Sequence, residues 1–391
     1  MNLSLPLPPI KHTPIDSRKP VLKVIGLGGG GQNAVNRMIE LGLSGVDFIA
    51  ANTDAQVLAS SLAPTKIQLG PKLTRGLGAG GNPTIGAAAA EESIRELNSA
   101  LIGADMVFLT AGMGGGTGTG AIAVAARIAR SLGAVVVAVV STPFAFEVGR
   151  RQKNAVDGLA ILRPFTDTLI TVPNERLIEI AGKSLTFEMA FRLADDVLRQ
   201  GIQAISELIT QPGMINVDFS HIRQAMFNGG GSLMAIGNGE GSSKALDAIE
   251  SALHHPMLGE ICLDTATHII ANFTGGPDLT FLEVMTALET IQERTHGISE
   301  IIPGVICDDR MEGRAQVILI VTGVGATPVD VKQPLTREKE IAAPRLSDEP
   351  IETFRPHLAP IETLVMEGAE VGAGMATIDL EVPAFLRRRS H

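Results

Sequence analysis

The sequence has no tryptophan and no tyrosine, which leaves phenylalanine to supply an aromatic fraction of 3%. Surfaces that stack the bases of single-stranded nucleic acid are built from such side chains, so that class of binder is excluded. The two cysteines, Cys262 and Cys307, lie far apart without CxxC spacing. Neither a disulfide framework nor a cysteine zinc site follows, and a reducing cytoplasm fits. Basic charge is in deficit: 32 Lys+Arg against 42 Asp+Glu leaves a net charge of −10. That balance argues against general affinity for nucleic acid phosphates or anionic membranes, so any basic site is local. Long apolar runs are also missing, because Gly, Pro or a charge interrupts each one. The expectation is a chain with neither a secretory signal nor a membrane-spanning segment.

A length of 391 residues favours two folded units plus tails. Residues 1–20 hold five prolines and no sustained period, the pattern of a disordered arm. From Val21 onward, β-branched runs alternate with helical periods. Val21–Ile25, Phe48–Asn52, Met106–Thr110, Val135–Val140 and Leu169–Val172 read as buried strands. The alternation predicts an α/β fold: a parallel sheet covered by helices on both faces, with ligands at the carboxyl ends of the strands. This first unit is expected over 21–186. A long central helix follows over 187–210, where Phe191, Ala194, Leu198, Ile202, Ile205 and Ile209 recur at steps of three or four. Residues 211–325 read as a smaller α+β unit with a mixed or antiparallel sheet. Prolines and charges dominate from 326 to 376, as in a disordered linker. The last residues, 377–391, combine apolar and basic character as a docking peptide does.

What the chain has in excess is glycine, 43 residues gathered in a few clusters. The first, Gly26-Leu27-Gly28-Gly29-Gly30-Gly31-Gln32-Asn33, follows a strand and opens a helix. Without Cβ atoms its backbone N–H groups can approach phosphate oxygens, and the helix N-terminus adds a favourable dipole. Gly26, Gly28 and Gly31 also satisfy G-x-G-x-x-G, so a dinucleotide-binding oxidoreductase with Asp47 or Asp54 on the ribose competes at this point, as does a turn without ligand. No lysine follows the glycines, which excludes Walker A. The second cluster, Gly112-Met113-Gly114-Gly115-Gly116-Thr117-Gly118-Thr119-Gly120, again follows a strand and opens a helix. Two such loops on one sheet suit a nucleoside triphosphate, with threonine hydroxyls for the outer phosphates and a metal-bound water.

In carrying both loops, the chain resembles the tubulin and FtsZ superfamily, and within it bacterial FtsZ. The likeness extends through Asn52-Thr53-Asp54-Ala55-Gln56, Gly78-Ala79-Gly80-Gly81-Asn82-Pro83, Pro143-Phe144-Ala145-Phe146-Glu147, Asn216-Val217-Asp218-Phe219 and Val382-Pro383-Ala384-Phe385-Leu386-Arg387. The resemblance implies a cytoplasmic GTPase that binds GTP/GDP and forms head-to-tail homopolymers in the mid-cell ring of bacterial cell division. It assigns Gly29, Gly30, Gly31, Gln32, Asn33, Gly116, Thr117 and Gly118 to the phosphates. Glu147 falls to the ribose, Arg151 to the nucleotide and Asp195 to the guanine base, where a carboxylate accepts from N1–H and N2–H₂ and discriminates against adenine. The family's usual Glu-Gly pair here reads Glu147-Val148, with Gly149 displaced by one. By themselves Arg151, beside Arg150 and Lys153, reads as a solvated basic face, Asp195 as a solvated helix residue and Asp54 as a turn residue.

Hydrolysis in the family is completed in trans by a loop carrying an Asn and two Asp. Here Asn216 and Asp218 match, but His221 occupies the second acidic position. That position helps orient the attacking water, one of the few tasks phosphoryl transfer leaves to protein. A neutral imidazole brings no negative charge, and once protonated it is no base. Three readings stand open: a slow GTPase relying on Asp218, a hydrolysis-deficient paralogue acting as a GTP-dependent scaffold, and His221 as a working base. Mg²⁺ is expected through phosphates and water. No metal spacing joins His254, His255, His268 and His296. Val382, Pro383, Phe385, Leu386 and Arg387 are expected to dock membrane-tethering division adaptors, and a second paralogue is a further partner. A short lipid-touching tip is the competing reading of this peptide, weakened by the lack of a second anchor.

Overall fold

Side-chain alternation along the strands decides the layering of the molecule. The computed structural model describes residues 19–147, 149–181, 186–210, 218–227, 230–258 and 266–324. The strands are β1 (Leu22–Leu27), β2 (Asp47–Asn52), β3 (Thr65–Gln68), β4 (Met106–Gly112), β5 (Val135–Thr142), β6 (Thr168–Pro173), β7 (Gly230–Glu240), β8 (His268–Gly275), β9 (Glu300–Cys307) and β10 (Arg314–Thr322). Between them lie α1 (Gly28–Glu40), α2 (Ala55–Ala59), α3 (Pro71–Thr74), α4 (Pro83–Glu92), α5 (Ile94–Leu101), α6 (Thr117–Ser131), α7 (Arg150–Leu162), α8 (Asn174–Ala181), α9 (Phe187–Thr210), α10 (Phe219–Phe227), α11 (Lys244–Leu253) and α12 (Phe281–Arg294). The strands form one sheet in the order β3-β2-β1-β4-β5-β6-β7-β10-β8-β9.

From β3 to β7 every neighbouring pair is parallel, with Ile25 of β1 opposite both Ile49 of β2 and Leu109 of β4. Because successive residues point to opposite faces, Val24, Phe48, Ala50, Phe108, Val137 and Val139 enter one core, with Ala34, Val35 and Met38 of α1 and with α9. Their neighbours Ile25, Ile49, Ala51, Leu109, Val136 and Ala138 enter the other, against Ala121, Ile122 and Ala125 of α6. The helices on both faces are those expected of the α/β alternation. β3 escaped the sequence reading because it is four residues long and only Ile67 within it is buried.

The far half of the sheet is mixed: β10 is antiparallel to β7 and β8, whereas β8 and β9 run parallel. One face packs on α11 and α12 through Ala248, Ile249, Val284, Ala287 and Phe273. The other meets α9, whose Ile205 and Leu208 share a core with Ile270, Ile302, Ile318 and Ile320. The 24-residue helix α9 coincides with the periodic stretch read from sequence. Its Ile202 and Ile205 are fully buried, each worth about 2 kcal/mol of apolar transfer. Residues 1–18 of the N-terminal arm, the linker and the terminal peptide lie outside the described residues.

Candidate active site

β1 and β4 are adjacent in the sheet, but the helices that leave them, α1 and α6, pack on opposite faces. The chain therefore splits at their carboxyl ends and opens the crevice in which doubly wound sheets bind ligands. Both glycine clusters sit there. Some of their glycines are packing requirements. A Cβ on Gly26 would lie 2.3 Å from the Gly31 carbonyl oxygen, and one on Gly31 would lie 2.3 Å from that of Thr110. Gly28, at φ +69°, brings the loops together: its Cβ would fall 2.7 Å from the Gly118 nitrogen. Gly29 and Gly115 have nothing within 4 Å, so they border open space.

A third loop, residues 75–82, closes the crevice. A Cβ on Gly116 would lie 2.8 Å from the Asn82 nitrogen and 2.9 Å from the Ala79 side chain, whereas Gly80 and Gly81 face open space. Asn154 of α7 ties this loop to the second, donating to the carbonyls of Gly81 and Gly114, each at 3.2 Å. Thr53, after β2, joins Thr117 at the start of α6 by a hydroxyl–hydroxyl bond of 2.6 Å.

The helix starts show what this crevice is fit to hold. α2, α4 and α12 are capped by the side chains of Asp54, Asn82 and Thr280. α1 and α6, which follow the glycine loops, have no side-chain cap and no acidic residue in the first turn; α3 and α7 share this, but only α1 and α6 start side by side at the switch point. Their first N–H groups and positive dipole ends are thus left for an anion. Gly29, Gly30 and Asn33 are exposed, but Gln32 is 1% exposed and its amide donates to the Val57 carbonyl at 2.6 Å. What Gln32 can give a phosphate is its backbone N–H.

Beside the loops, Glu147 is buried and forms an ion pair with Arg151, while its other oxygen accepts the Phe144 N–H at 3.0 Å. Arg151 also abuts the second loop, since a Cβ on Gly114 would lie 2.8 Å from the Arg151 carbonyl oxygen. Gly149, at φ +89°, precedes α7; Val148 is outside the described residues. Phe144 stacks on Phe146 and meets Phe191 of α9 edge-on, with centroids 5.2 and 5.5 Å apart. One helical turn from Phe191 stands Asp195, partly buried. Loss of water pushes its carboxyl up to about 8; Arg37 of α1 opposes the rise and Asp196 adds to it. At the end of β6, the side-chain oxygen of Asn174 is buried without a hydrogen-bond partner among the described residues. Sequence reading overlooked this acceptor, as an Asn opening a helix reads as a cap.

Asp218 and His221 stand apart from the crevice. Asp218 accepts the Ser220 N–H at 3.2 Å, and His221, exposed on α10, donates its backbone N–H to the Asp218 carbonyl at 3.0 Å. Among the described residues no hydrogen bond joins either one to the glycine loops, and none joins the His221 ring to Asp218. Asn216 and the terminal residues Val382, Pro383, Phe385, Leu386 and Arg387 lie outside the described residues. No group of three or more His, Cys, Asp or Glu among the described residues is placed to hold a metal ion.

Comparison with known proteins agrees with this geometry. Residues 21–182 match the Tubulin/FtsZ family, GTPase domain, and residues 230–325 match the FtsZ family, C-terminal domain. The empty FtsZ dimer of M. jannaschii is 42% identical, with a TM-score of 0.76 over 79% of this chain and 90% of that one. The chain belongs to the FtsZ family. Two further structures from Haloferax volcanii share the fold. The GDP-bound CetZ1 monomer has a TM-score of 0.68 at 20% identity, covering 79% of this chain and 96% of that one. The GTPgS-bound CetZ2 protofilament has 0.63 at 23%, covering 78% and 93%. This FtsZ-family chain is accordingly a guanine-nucleotide-binding GTPase of the cytoskeletal class. No helix among its described residues is long and apolar enough to cross a membrane.

Proposed function

We propose that the chain is the filament subunit of a bacterial division ring, working in the cytoplasm at mid-cell. It polymerises head to tail and hydrolyses GTP between subunits. The two uncapped helix starts at the sheet's switch point carry this reading, because together they offer the donors a triphosphate needs. Gly29, Gly30, Gly31, Gln32, Asn33, Gly116, Thr117 and Gly118 hold the phosphates, Glu147 and Arg151 the ribose side, and Asp195 the base. Mg²⁺, carried by nucleotide and water, neutralises charge on the outer phosphates. Asn216, Asp218 and His221 of one subunit complete the site of the next. Residues 21–186 and 211–325 act as nucleotide and assembly domains about the central helix 187–210. The linker 326–376 tethers the adaptor-docking peptide. The FtsZ dimer from M. jannaschii supports self-association.

A second reading has its own observation. His221 stands where the resemblance implies an acidic residue, and Asp218 spends an oxygen on its own turn, which favours a GTP-dependent scaffold of low turnover. Phosphate release and sedimentation, followed together with GTP and Mg²⁺ for the wild type and His221→Asp, separate the two. GTP-dependent polymer with turnover supports the division-ring GTPase. Polymer without turnover, accelerated ~10²-fold or more by Asp, supports the scaffold. Unchanged or lower turnover in His221→Asp eliminates a cost at this position and leaves the imidazole as the working group. Absence of GTP-dependent polymer in both proteins overturns the filament reading.

A further inference from the structure

The third loop has a backbone that needs outside support. Arg75, Gly76, Gly78, Gly80 and Gly81 have φ between +52° and +85°, and for Arg75, which carries a Cβ, that region is disfavoured. On its inner side the loop is held by Thr53, whose carbonyl accepts from the Gly78 N–H at 3.3 Å and the Thr74 hydroxyl at 3.3 Å, and by Ala55, which donates to the Gly76 carbonyl at 3.0 Å. On its outer side the support comes from the far end of α4. The two carboxylate oxygens of Glu92 accept the N–H groups of Lys72 and Leu73 at 2.9 and 3.0 Å, at the start of α3. Ser93 beside it accepts the Gly70 N–H at 3.0 Å and donates to the Gln68 carbonyl at 3.3 Å.

The same helix begins at Asn82, where the loop ends, and its ten residues span about 15 Å. Glu92 therefore does not reach a ligand in the crevice. We infer that Glu92 is a positioning residue for the GTPase: its carboxylate fixes both amides at the start of α3 and thereby sets loop 75–82 against Gly116, so nucleotide retention depends on it. The inference rests on the reading that the glycine loops hold the nucleotide. A neutral amide at position 92 offers one accepting oxygen in place of two and no charge, so one of these exposed N–H groups is released to water and the start of α3 is no longer held at both amides. Glu91 supplies a matched control, since it carries the same charge on the same turn but pairs with Arg127 of α6.

The test compares Glu92→Gln, Glu92→Asp, Glu91→Gln and Gly29→Glu in the full chain. It follows dissociation of a fluorescent GTP analogue and amide hydrogen exchange. Glu92 is exposed, so Glu92→Gln is expected to fold. It should release the analogue about threefold faster, the scale of an exposed charged contact. Exchange should quicken at Lys72, Leu73 and Gly78 while the amides of β1 and β4 keep wild-type rates. Glu92→Asp, which keeps the charge, should recover part of the retention, and Glu91→Gln should match the wild type. Wild-type retention in Glu92→Gln, or exchange that quickens equally in β1 and β4, overturns the assignment. Gly29→Glu puts a negative charge in the open cradle and should abolish binding. If it binds like the wild type, the cradle reading fails and the inference with it; if it alone loses the nucleotide, only the role of Glu92 fails.

Discussion

Glu147 and Arg151, both assigned to the nucleotide, hold one another in an ion pair at the start of α7. The carboxylate side chain is 5% exposed and the guanidinium 35%, so the pair is neither a surface bridge nor a fully dry one. Its second oxygen is engaged by the Phe144 N–H, which fixes the turn that carries the phenylalanine cluster.

The two variants should differ in kind. Arg151→Ala withdraws the cation from a carboxylate that is 5% exposed, which costs more than the loss of a surface pair but leaves the Phe144 N–H bond in place. Its main effect should be a loss of about tenfold in nucleotide affinity, of the size of one charged hydrogen bond. Glu147→Ala also leaves the buried Phe144 N–H without an acceptor, which costs about 1–3 kcal/mol. Thermal denaturation beside nucleotide titration checks this; a wild-type melting temperature in Glu147→Ala would contradict the role of the turn, and wild-type affinity in Arg151→Ala the role of the guanidinium.

Two glycines only two positions apart in the first loop, Gly29 and Gly31, offer a sharper contrast. In Gly31→Ala the methyl meets the Thr110 carbonyl oxygen at 2.3 Å, and backbone does not yield as a flexible side chain does. A loss of about 1–3 kcal/mol is expected. In Gly29→Ala the methyl meets nothing within 4 Å, and Ala is the better helix former by up to about 1 kcal/mol. Its melting temperature should hold or rise while GTP affinity falls, because the methyl occupies ligand space. A Gly29→Ala protein that binds GTP like the wild type would show that this space is not the phosphate cradle.

That contrast marks where the sequence stops being legible. Strands β1, β2, β4, β5 and β6 are readable as β-branched runs, and α9 as a period of three and four, because burial writes itself into local pattern, whereas β3 is too short and exposed to do so. The glycine loops were readable as clusters. Which glycines in them serve packing and which border open space was not, since Gly29 and Gly31 are the same residue and differ only in what the fold brings near. The Thr53–Thr117 bond joins positions 64 apart, and the Glu92 bonds join α4 to a four-residue helix with no signal of its own. Contacts of this kind are set by topology. The inward turn of Gln32 is another: its place in the motif assigns it to the phosphates but does not tell that its side chain is committed to the Val57 carbonyl.

The end of the site proposed to meet the base should titrate near neutrality. Asp195 has its carboxyl raised to about 8 from 3.8, chiefly because it is withdrawn from water, with Arg37 pulling the other way and Asp196 reinforcing the rise. In the nucleotide-free protein at pH 7 the group is therefore mostly protonated. A protonated carboxyl donates where guanine N1–H and N2–H₂ also donate, so binding requires the ionised form. The sign follows: GTP binding at pH 7 should release close to one proton, and affinity should rise about tenfold per pH unit up to about pH 8, then level off. The free protein behaves oppositely. Its folded state holds this proton more tightly than the unfolded chain, so the contribution of Asp195 to stability is present below about pH 4 and is lost as pH rises toward 8. Calorimetric titration of GTP in two buffers of different ionisation enthalpy measures the released proton directly. Asp195→Asn should abolish the proton release and flatten the affinity profile. Buffer-independent heats for the wild type would mean that Asp195 does not ionise on binding, and the guanine contact would have to be assigned to another acceptor, of which the partnerless oxygen of Asn174 is the nearest candidate by chemistry.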